Sequence, residues 1–446
     1  PCRGNTIAFN ITTTEPQVMN IMTSEVSDIT KLPNQCEHGY IVKIVNSPED
    51  EDDHWLKFVA DNGQDGSGHW EETWDPCINI DFNPCTMPHK IVRTLDSGGN
   101  IVFDLQTIEW ESRKVGDGTT NPEPSFVGKK INNLLFFRNR LALLSEENVI
   151  LSQAGDYYNF WSTTATTVSD GDVIDVAASS SRPTVFYDGV ENNEGLLVFS
   201  PYEQFMVTTE ETALTPNSAR IHYISSYEYN IGIKPFNLGT NIGFTSNSGL
   251  SSRFWQLGNA SRRGVPTVVE QSKPVANSLP NNLLTAAASR DNNIVLFTGW
   301  DGVPGTSYTP CDDPYDTIWG YRYYSDGKEL IQSAWFKWKF YGKVVWHTIM
   351  ENTYYFIVHY NNQAHFLALD LERQNATYII NDTNVCEKHL LHMDNSIDLA
   401  TGSYSAATDL TTFVLPNSHK RQPATQAATS GGQQVVYGRA GTKLGE

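Results

Sequence analysis

The chain has 446 residues, enough for two or three domains with substantial cores. Its 31 basic and 51 acidic side chains leave a formal net charge of -20, which disfavours ordinary wrapping of nucleic acid, since that affinity comes largely from Lys and Arg neutralising phosphates. The same acidic surface suits either plain solubility or a passage that DNA crosses without sticking.

A chain opening on Pro1 is expected to lack upstream sequence, and no apolar run approaches the roughly 20 residues that span a bilayer. Residues 1–118 read as a small antiparallel β domain, incomplete at its start. YIVKIV (Tyr40–Val45), HWLKFV (His54–Val59) and HWEETW (His69–Trp74) are strand-like, with charge and turn residues between them. The acidic run from Glu49 to Asp53 lacks the alternating oxygen ligands and terminal Glu of a calcium loop, so it reads as a solvated connection. IVFDLQTIEW (Ile101–Trp110) is another extended segment, after the turn Ser97–Asn100. The polar ESRKVGDGTTNPEP that follows marks the boundary with the main body.

The segment Asn121–Trp161 is the most informative. Leu134–Phe137 and Leu141–Leu144 are apolar runs separated by Arg138, Asn139 and Arg140. Ser145–Asn148 supplies a second turn before Val149–Leu151. This predicts a hairpin anchored in a β-rich core. Its two guanidiniums cannot shed their charge, so each needs a carboxylate of its own or a neighbouring chain, or solvent, and a strand edge or exposed face is the plainer reading. Phe136, Phe137, Tyr157, Tyr158, Phe160 and Trp161 are expected to pack the motif into the core.

The main body, residues 119–395, continues as strands at about ten-residue intervals, the pattern of a sandwich, barrel or propeller. Residues 319–371 read as one four-stranded blade: WGYRYY, AWFKWKF, VVWHTIM with YYFIVHY, and HFLALDL. Helices are expected to be few and short, the best candidate being Asn277–Arg290, with Leu279, Leu283, Leu284 and Ala288 on one face. Residues 396–446 read as a β/loop segment, part of a further domain. The fold class is therefore mainly β: an irregular propeller-like body, a small antiparallel β domain and few short helices.

Nothing in the sequence assembles a reaction centre. Asp172 and Asp175 fall on opposite faces of a strand, the wrong geometry for a carboxylate pair across one bond, so capping or turn formation is expected. His389 and His392, with Glu387 or Asp394, would approach a metal only on a helix, and His89 follows Pro88. Surface or structural roles are the plainer reading for all three histidines. GxGxxG, phosphate-loop and GxSxG motifs are absent. The six cysteines do not make a disulfide scaffold in a body this large, and Cys77 and Cys85 are too far apart for a zinc pair, so buried free thiols are expected. The sequons at Asn375 and Asn381 matter only in a secretory pathway. No catalytic, cofactor or metal site is expected.

The pattern PSFVG at Pro124–Gly128, including Phe126, then FFRNRL at Phe136–Leu141, LS-EN at Leu144–Asn148 and LS-AG-YYNF at Leu151–Phe160, closely resembles the tail tubular protein B, or nozzle protein, family of short-tailed bacteriophages. GYIVKIV from Gly39, TMPHKIVR from Thr86, IEWESRKVGD from Ile108, EGLLVFSPYEQFMV from Glu194 and QSAWFKWKF from Gln332 extend the resemblance over roughly residues 39–415. It implies a non-enzymatic virion tail protein: a homo-hexameric ring beneath the portal adaptor ring, a channel for double-stranded DNA, and a platform for tail fibres. It also implies a propeller-like platform. Six copies of this segment would carry 6 × -20 = -120 formal charges. The SPEDEDD and DPCINIDFNPC loops depart from the family pattern, and partner specificity is expected there. The alternative is an extracellular carbohydrate-binding or carbohydrate-active propeller, suggested by the many Trp, Tyr, Asn and Asp, but no acid pair supports it.

Overall fold

The computed structural model describes residues 23–45, 53–209, 211, 213–247, 251–258, 266–275, 278–300, 316–325, 330–340, 342–360, 362–371, 376–380, 386–390, 403–407 and 410–412. The fold is mainly β, built of antiparallel sheets with one parallel pair, and among the described residues helix is confined to short 3-10 turns such as Ile29–Lys31 and Lys273–Val275. No described helix is long and apolar enough to cross a membrane. The chain divides into two compact units, residues 1–231 with 260–266 and residues 232–259 with 267–446.

The first unit opens with a five-stranded sheet. Strands β1 (Glu25–Val26), β2 (Gln35–Glu37), β3 (Ile41–Ile44), β4 (His54–Ala60) and β5 (Asp65–Thr73) take the order β1-β3-β4-β5-β2. β4 alternates inward His54, Leu56, Phe58 and Ala60 with half-buried residues, so its period of two buries one face against Val42 and Ile44. The three strands expected from YIVKIV, HWLKFV and HWEETW are these. Asp53, at the end of the acidic run, is buried and paired with Lys43 Nζ at 2.6 Å; Glu49–Asp52 lie outside the described residues. Strands β6 (His89–Leu95) and β7 (Ile101–Thr107) then form a two-stranded hairpin.

Two four-stranded antiparallel sheets follow. The first takes the order β11-β10-β9-β8, from β8 (Ile131–Phe137), β9 (Arg140–Ser145), β10 (Asn148–Leu151) and β11 (Ile174–Ala177). The second runs in chain order, from β12 (Asp188–Asn192), β13 (Gly195–Phe199), β14 (Gln204–Thr209) and β15 (Ala219–Ser225). Ala142, Leu144, Val149 and Leu151 share one core with Leu196, Val198, Phe205 and Val207 of the second sheet. Leu141, Leu143 and Ile150 point the other way, into a cluster with Phe82, Phe126, Phe160 and Trp161. Every residue of β9 is therefore buried, which is why its sequence is a continuous apolar run instead of an alternating one.

The second unit repeats this logic. β16 (Phe236–Asn237), β17 (Ile242–Ser246), β18 (Arg253–Gly258) and β19 (Thr267–Glu270) form one sheet. β20 (Asn282–Ser289), β21 (Ile294–Trp300), β22 (Thr317–Ser325) and β23 (Leu330–Lys339) form the next. Phe254 packs with Val295, Phe297 and Tyr321 on one side of the second sheet. Leu296 and Ile318 meet Val344, Tyr354 and Phe356 on its other side. Those last residues belong to a three-stranded sheet of β24 (Lys343–Met350), β25 (Thr353–Tyr360) and β26 (Gln363–Asp370). Hairpins β27 (Ala376–Ile380) with β28 (Cys386–Leu390), and β29 (Ser403–Ser405) with β30 (Leu410–Thr412), follow.

Two expectations are corrected here. The helix expected at Asn277–Arg290 is instead strand β20, whose alanines pair with β21 through Ala286↔Phe297 and Ala288↔Val295. Alanine is the strongest helix former, but intrinsic propensity is a weak determinant, and pairing with a large apolar neighbouring strand overrides it. The single blade expected over 319–371 is split: WGYRYY and AWFKWKF close the sheet begun by β20, and the sheet break falls before β24. Within β22, Gly320 faces Phe336 across the pair, and a Cβ there would come within 2.0 Å of the ring, so only glycine lets this aromatic lie over the strand.

Candidate functional site

The Asn121–Trp161 segment forms the hairpin of β8 and β9 and the loops that enclose it. Phe137 pairs with Arg140, leaving Arg138 and Asn139 as a two-residue turn with φ of 45° and 60°. Both residues occupy the left-handed region that such a tight hairpin turn demands. Asn139 then locks the turn to the following loop: its carbonyl accepts from Gly155 N at 2.9 Å, and its Oδ1 accepts from the Tyr157 hydroxyl at 2.8 Å.

Arg138 is exposed, whereas Arg140 is wholly buried. The strand-edge reading of Arg140 is thus overturned, and no carboxylate neutralises it directly. Its Nη1 donates to the carbonyls of Ser152 (2.7 Å), Asp172 (2.5 Å) and Gly171 (3.2 Å), and its Nη2 to Asp170 (3.0 Å). Burial pulls the guanidinium pKa down, and the charge of Asp172 opposes that shift. One planar fork thereby pins the 170–172 loop onto the start of β9.

Asp172 and Asp175 act as turn and loop acceptors. Asp172 accepts from Thr163 N (2.9 Å), Thr163 Oγ1 (2.5 Å) and Ser169 N (2.8 Å). Asp175 takes Ser125 N and Oγ, both at 2.8 Å, and Asn148 Nδ2 at 2.9 Å. These bonds fix the Pro124–Gly128 turn against β10 and β11. In that turn Gly128 has φ 74° and Pro124 is buried. Phe126 packs edge-on to Phe160 with ring centres 5.3 Å apart.

The expected aromatic anchors divide. Phe137, Phe160 and Trp161 are buried, Tyr157 is half-buried, and Phe136 and Tyr158 are 67% and 41% exposed. Strand alternation is the reason: β8 is an edge strand whose Leu135 and Phe137 face the core while Leu134 and Phe136 face outward. Phe136 meets Tyr157 edge-on at 5.3 Å on that outer side.

Sequence reasoning missed Arg113. It is wholly buried, its Cζ lies 4.2 Å from the centre of the Trp161 ring, and its guanidinium makes no hydrogen bond. Burial lowers its pKa, while Glu123, Asp117 and Asp75 oppose that from a distance. Trp161 is itself stacked on Phe82 at 4.8 Å and donates its Nε1 to Glu111 O at 3.0 Å. Nothing in ESRKVGDG signals this, because the ring that covers Arg113 comes from 48 residues downstream. Asp188 was also missed: it accepts from Tyr229 Oη at 2.7 Å and Asn133 Nδ2 at 2.5 Å, and burial, then the charge and hydrogen bond of Asp188, raise the Tyr229 pKa.

The carboxylates of Asp172, Asp175 and Asp188 are occupied by N–H and O–H donors. Among the described residues no group of three or more His, Cys, Asp or Glu is placed to hold a metal ion. His89 Nδ1 lies 2.9 Å from Met87 O. His392 and the sequons at Asn375 and Asn381 lie outside the described residues, as do Glu387 and His389 beyond their backbone. The expectation of buried free thiols is corrected, since Cys77 is disulfide-bonded, Cys36 is half-buried and Cys85 is exposed.

Residues 5–443 match the family model described as bacteriophage nozzle protein. The chain is 33% identical over 332 residues to the tail tubular protein gp12 of Escherichia phage T7, across 73% of this chain and 38% of that protein. It thus spans well under half the length of that relative. Among solved structures it is similar to Hsv2 of Kluyveromyces lactis (TM-score 0.33, 9% identity, 64% of this chain and 74% of that one). It is similar also to the β-propeller domain of Nup133 from Vanderwaltozyma polyspora (TM-score 0.31, 9% identity, 66% and 82%). Likeness at that level carries no weight for closure of the sheets or for function.

Proposed function

This chain belongs to the bacteriophage nozzle protein family, structural proteins of the virion tail, and from that premise we propose that it forms a homo-hexameric ring beneath the portal adaptor. In this reading the ring lines a channel through which double-stranded DNA leaves, and its outer surface receives tail fibres. The sheets are blades of an irregular propeller-like platform centred on residues 119–395. The observation that carries the reading is the match to the nozzle family over residues 5–443. Sheets buried on both faces, such as the one containing β9, support it, because a wall under load gains stiffness from close packing on either side.

Electron microscopy of the purified chain, and of particles that contain it, tests the proposal. Six copies around a central opening are expected. A monomer that turns over a small substrate in a polar pocket would end it.

A further inference from the structure

The connector that follows β7, residues 111–123, is stitched on both sides. Toward the first sheet, Gly116 N donates to Thr73 O and Gly116 O accepts from Asp75 N, each at 3.0 Å, while Arg113 N donates to Ile80 O at 2.8 Å. Toward the Asn121–Trp161 motif, Glu111 N donates to Tyr158 O at 3.1 Å and Glu111 O accepts from Trp161 Nε1 at 3.0 Å. Asn121 closes the far end, with Nδ2 on Val115 O at 2.9 Å and Oδ1 accepting from Ser162 N at 3.1 Å.

Between these stitches the chain buries a charge that nothing neutralises directly. Arg113 is wholly buried, and none of its three guanidinium nitrogens meets an acceptor. Trp110 Nε1, in the same aromatic cluster, is buried in the same condition. The face of Trp161, 4.2 Å from Arg113 Cζ, supplies attraction but no lone pair, and such attraction is weaker than the cost of taking an unpaired ion out of water. Three carboxylates act on Arg113 from a distance, Glu123 most strongly. Two of them are engaged: Asp117 Oδ1 accepts from Thr119 N and Thr120 N at 2.9 and 3.0 Å, and Asp75 Oδ1 from Cys77 N at 2.8 Å. Glu123 is exposed, and its carboxylate accepts no hydrogen bond.

We propose that residues 111–123 are a two-position latch: in the position described Arg113 lies unpaired over Trp161, and in the other it leaves the ring and pairs with Glu123. Each position keeps what the other gives up, the aromatic stack in one and the ion pair in the other, so the two lie close in free energy. Trp161 is also stacked on Phe82 at 4.8 Å, so Arg113, Trp161 and Phe82 form one pile that holds the 75–85 loop against the motif. Releasing Arg113 loosens that pile, and the latch thereby sets how readily the first sheet disengages from the motif.

Hydrogen exchange and unfolding of the whole chain test this. Arg113→Met keeps the bulk over Trp161 and removes the charge. It is expected to raise the unfolding midpoint and to slow amide exchange in residues 75–85 and 111–123 about tenfold. Glu123→Gln changes only an exposed side chain and removes the second position's acceptor. It is expected to slow exchange in the same two segments, and to add nothing when combined with Arg113→Met. An unfolding midpoint lowered by Arg113→Met, or a variant that fails to fold, would overturn the proposal by showing a guanidinium already neutralised where it lies, through ordered water to its carboxylates. Exchange unaltered by Glu123→Gln would overturn it too. Both readouts belong to the single chain, so neither result bears on the ring reading.

Discussion

A buried charge can be held by backbone carbonyls instead of by a counter-charge. Arg140 is the clearest instance, since its fork satisfies carbonyls from residues 152 and 170–172. Replacing it with Met leaves those buried carbonyls without a donor, and we expect a loss of about 3 kcal/mol or more in denaturant unfolding. Arg140→Lys retains the charge but not the planar fork and should lose about 1–2 kcal/mol, while Arg138→Met on the exposed turn should stay within about 0.5 kcal/mol. Equal costs at 138 and 140 would contradict this assignment. His347 gives a pH signature. Burial in the sheet of β24–β26 pulls its pKa from 6.5 down to about 4, with the backbone of Thr285 opposing. Between those values the unfolded chain binds a proton that the folded one refuses, so stability falls as pH drops. The contribution is complete above pH 6.5 and gone below about pH 4, a change of about 3 kcal/mol. Unfolding measured at pH 7, 5.5 and 4.5 should show this slope, and His347→Gln should flatten it.

At the level of the element, one period of two decides which aromatic matters. Phe137 is buried and Phe136, its neighbour, faces outward. Phe137→Ala is expected to cost about 3–5 kcal/mol and to abolish assembly, while Phe136→Ala should cost less than about 1 kcal/mol. Thermal melts of the two variants side by side settle the face assignment, and a reversal of their order refutes it. Strands β8 to β10, the two turns around Arg138–Asn139 and Glu146–Glu147, and the acceptor roles of Asp172 and Asp175 were legible in the sequence, because apolar runs and turn residues are local signals. The outward face of Phe136 was not, since the run LLFF carries no alternation until a neighbouring sheet covers one side only. The strand at Asn282–Ser289 was illegible for a related reason: its alanines become a strand through pairing with a segment that the local window does not contain. The network of Arg140 and the stacking of Arg113 on Trp161 depend on partners 12 to 48 residues away, and no residue pattern in sequence encodes a carbonyl as a partner.

For the whole molecule, the formal charge sets how a duplex would behave against the assembled wall. Six copies of the proposed ring carry 6 × -20 = -120 over this segment, and a surface of that sign repels phosphates. Each phosphate that a wall does neutralise releases counterion and adds about -0.9 to the slope of log affinity against log salt. A conduit that holds DNA through many such contacts would slow its own traffic, because every contact must break for the duplex to advance. The assembled chain is therefore expected to bind double-stranded DNA weakly at about 50 mM salt and with a slope shallower than about -1. Fluorescence anisotropy with a labelled duplex across a salt series reads both quantities. Tight binding with the slope of about six to ten phosphate contacts would show that basic side chains line the passage despite the acidic total, and would turn the wall from a guide into a clamp.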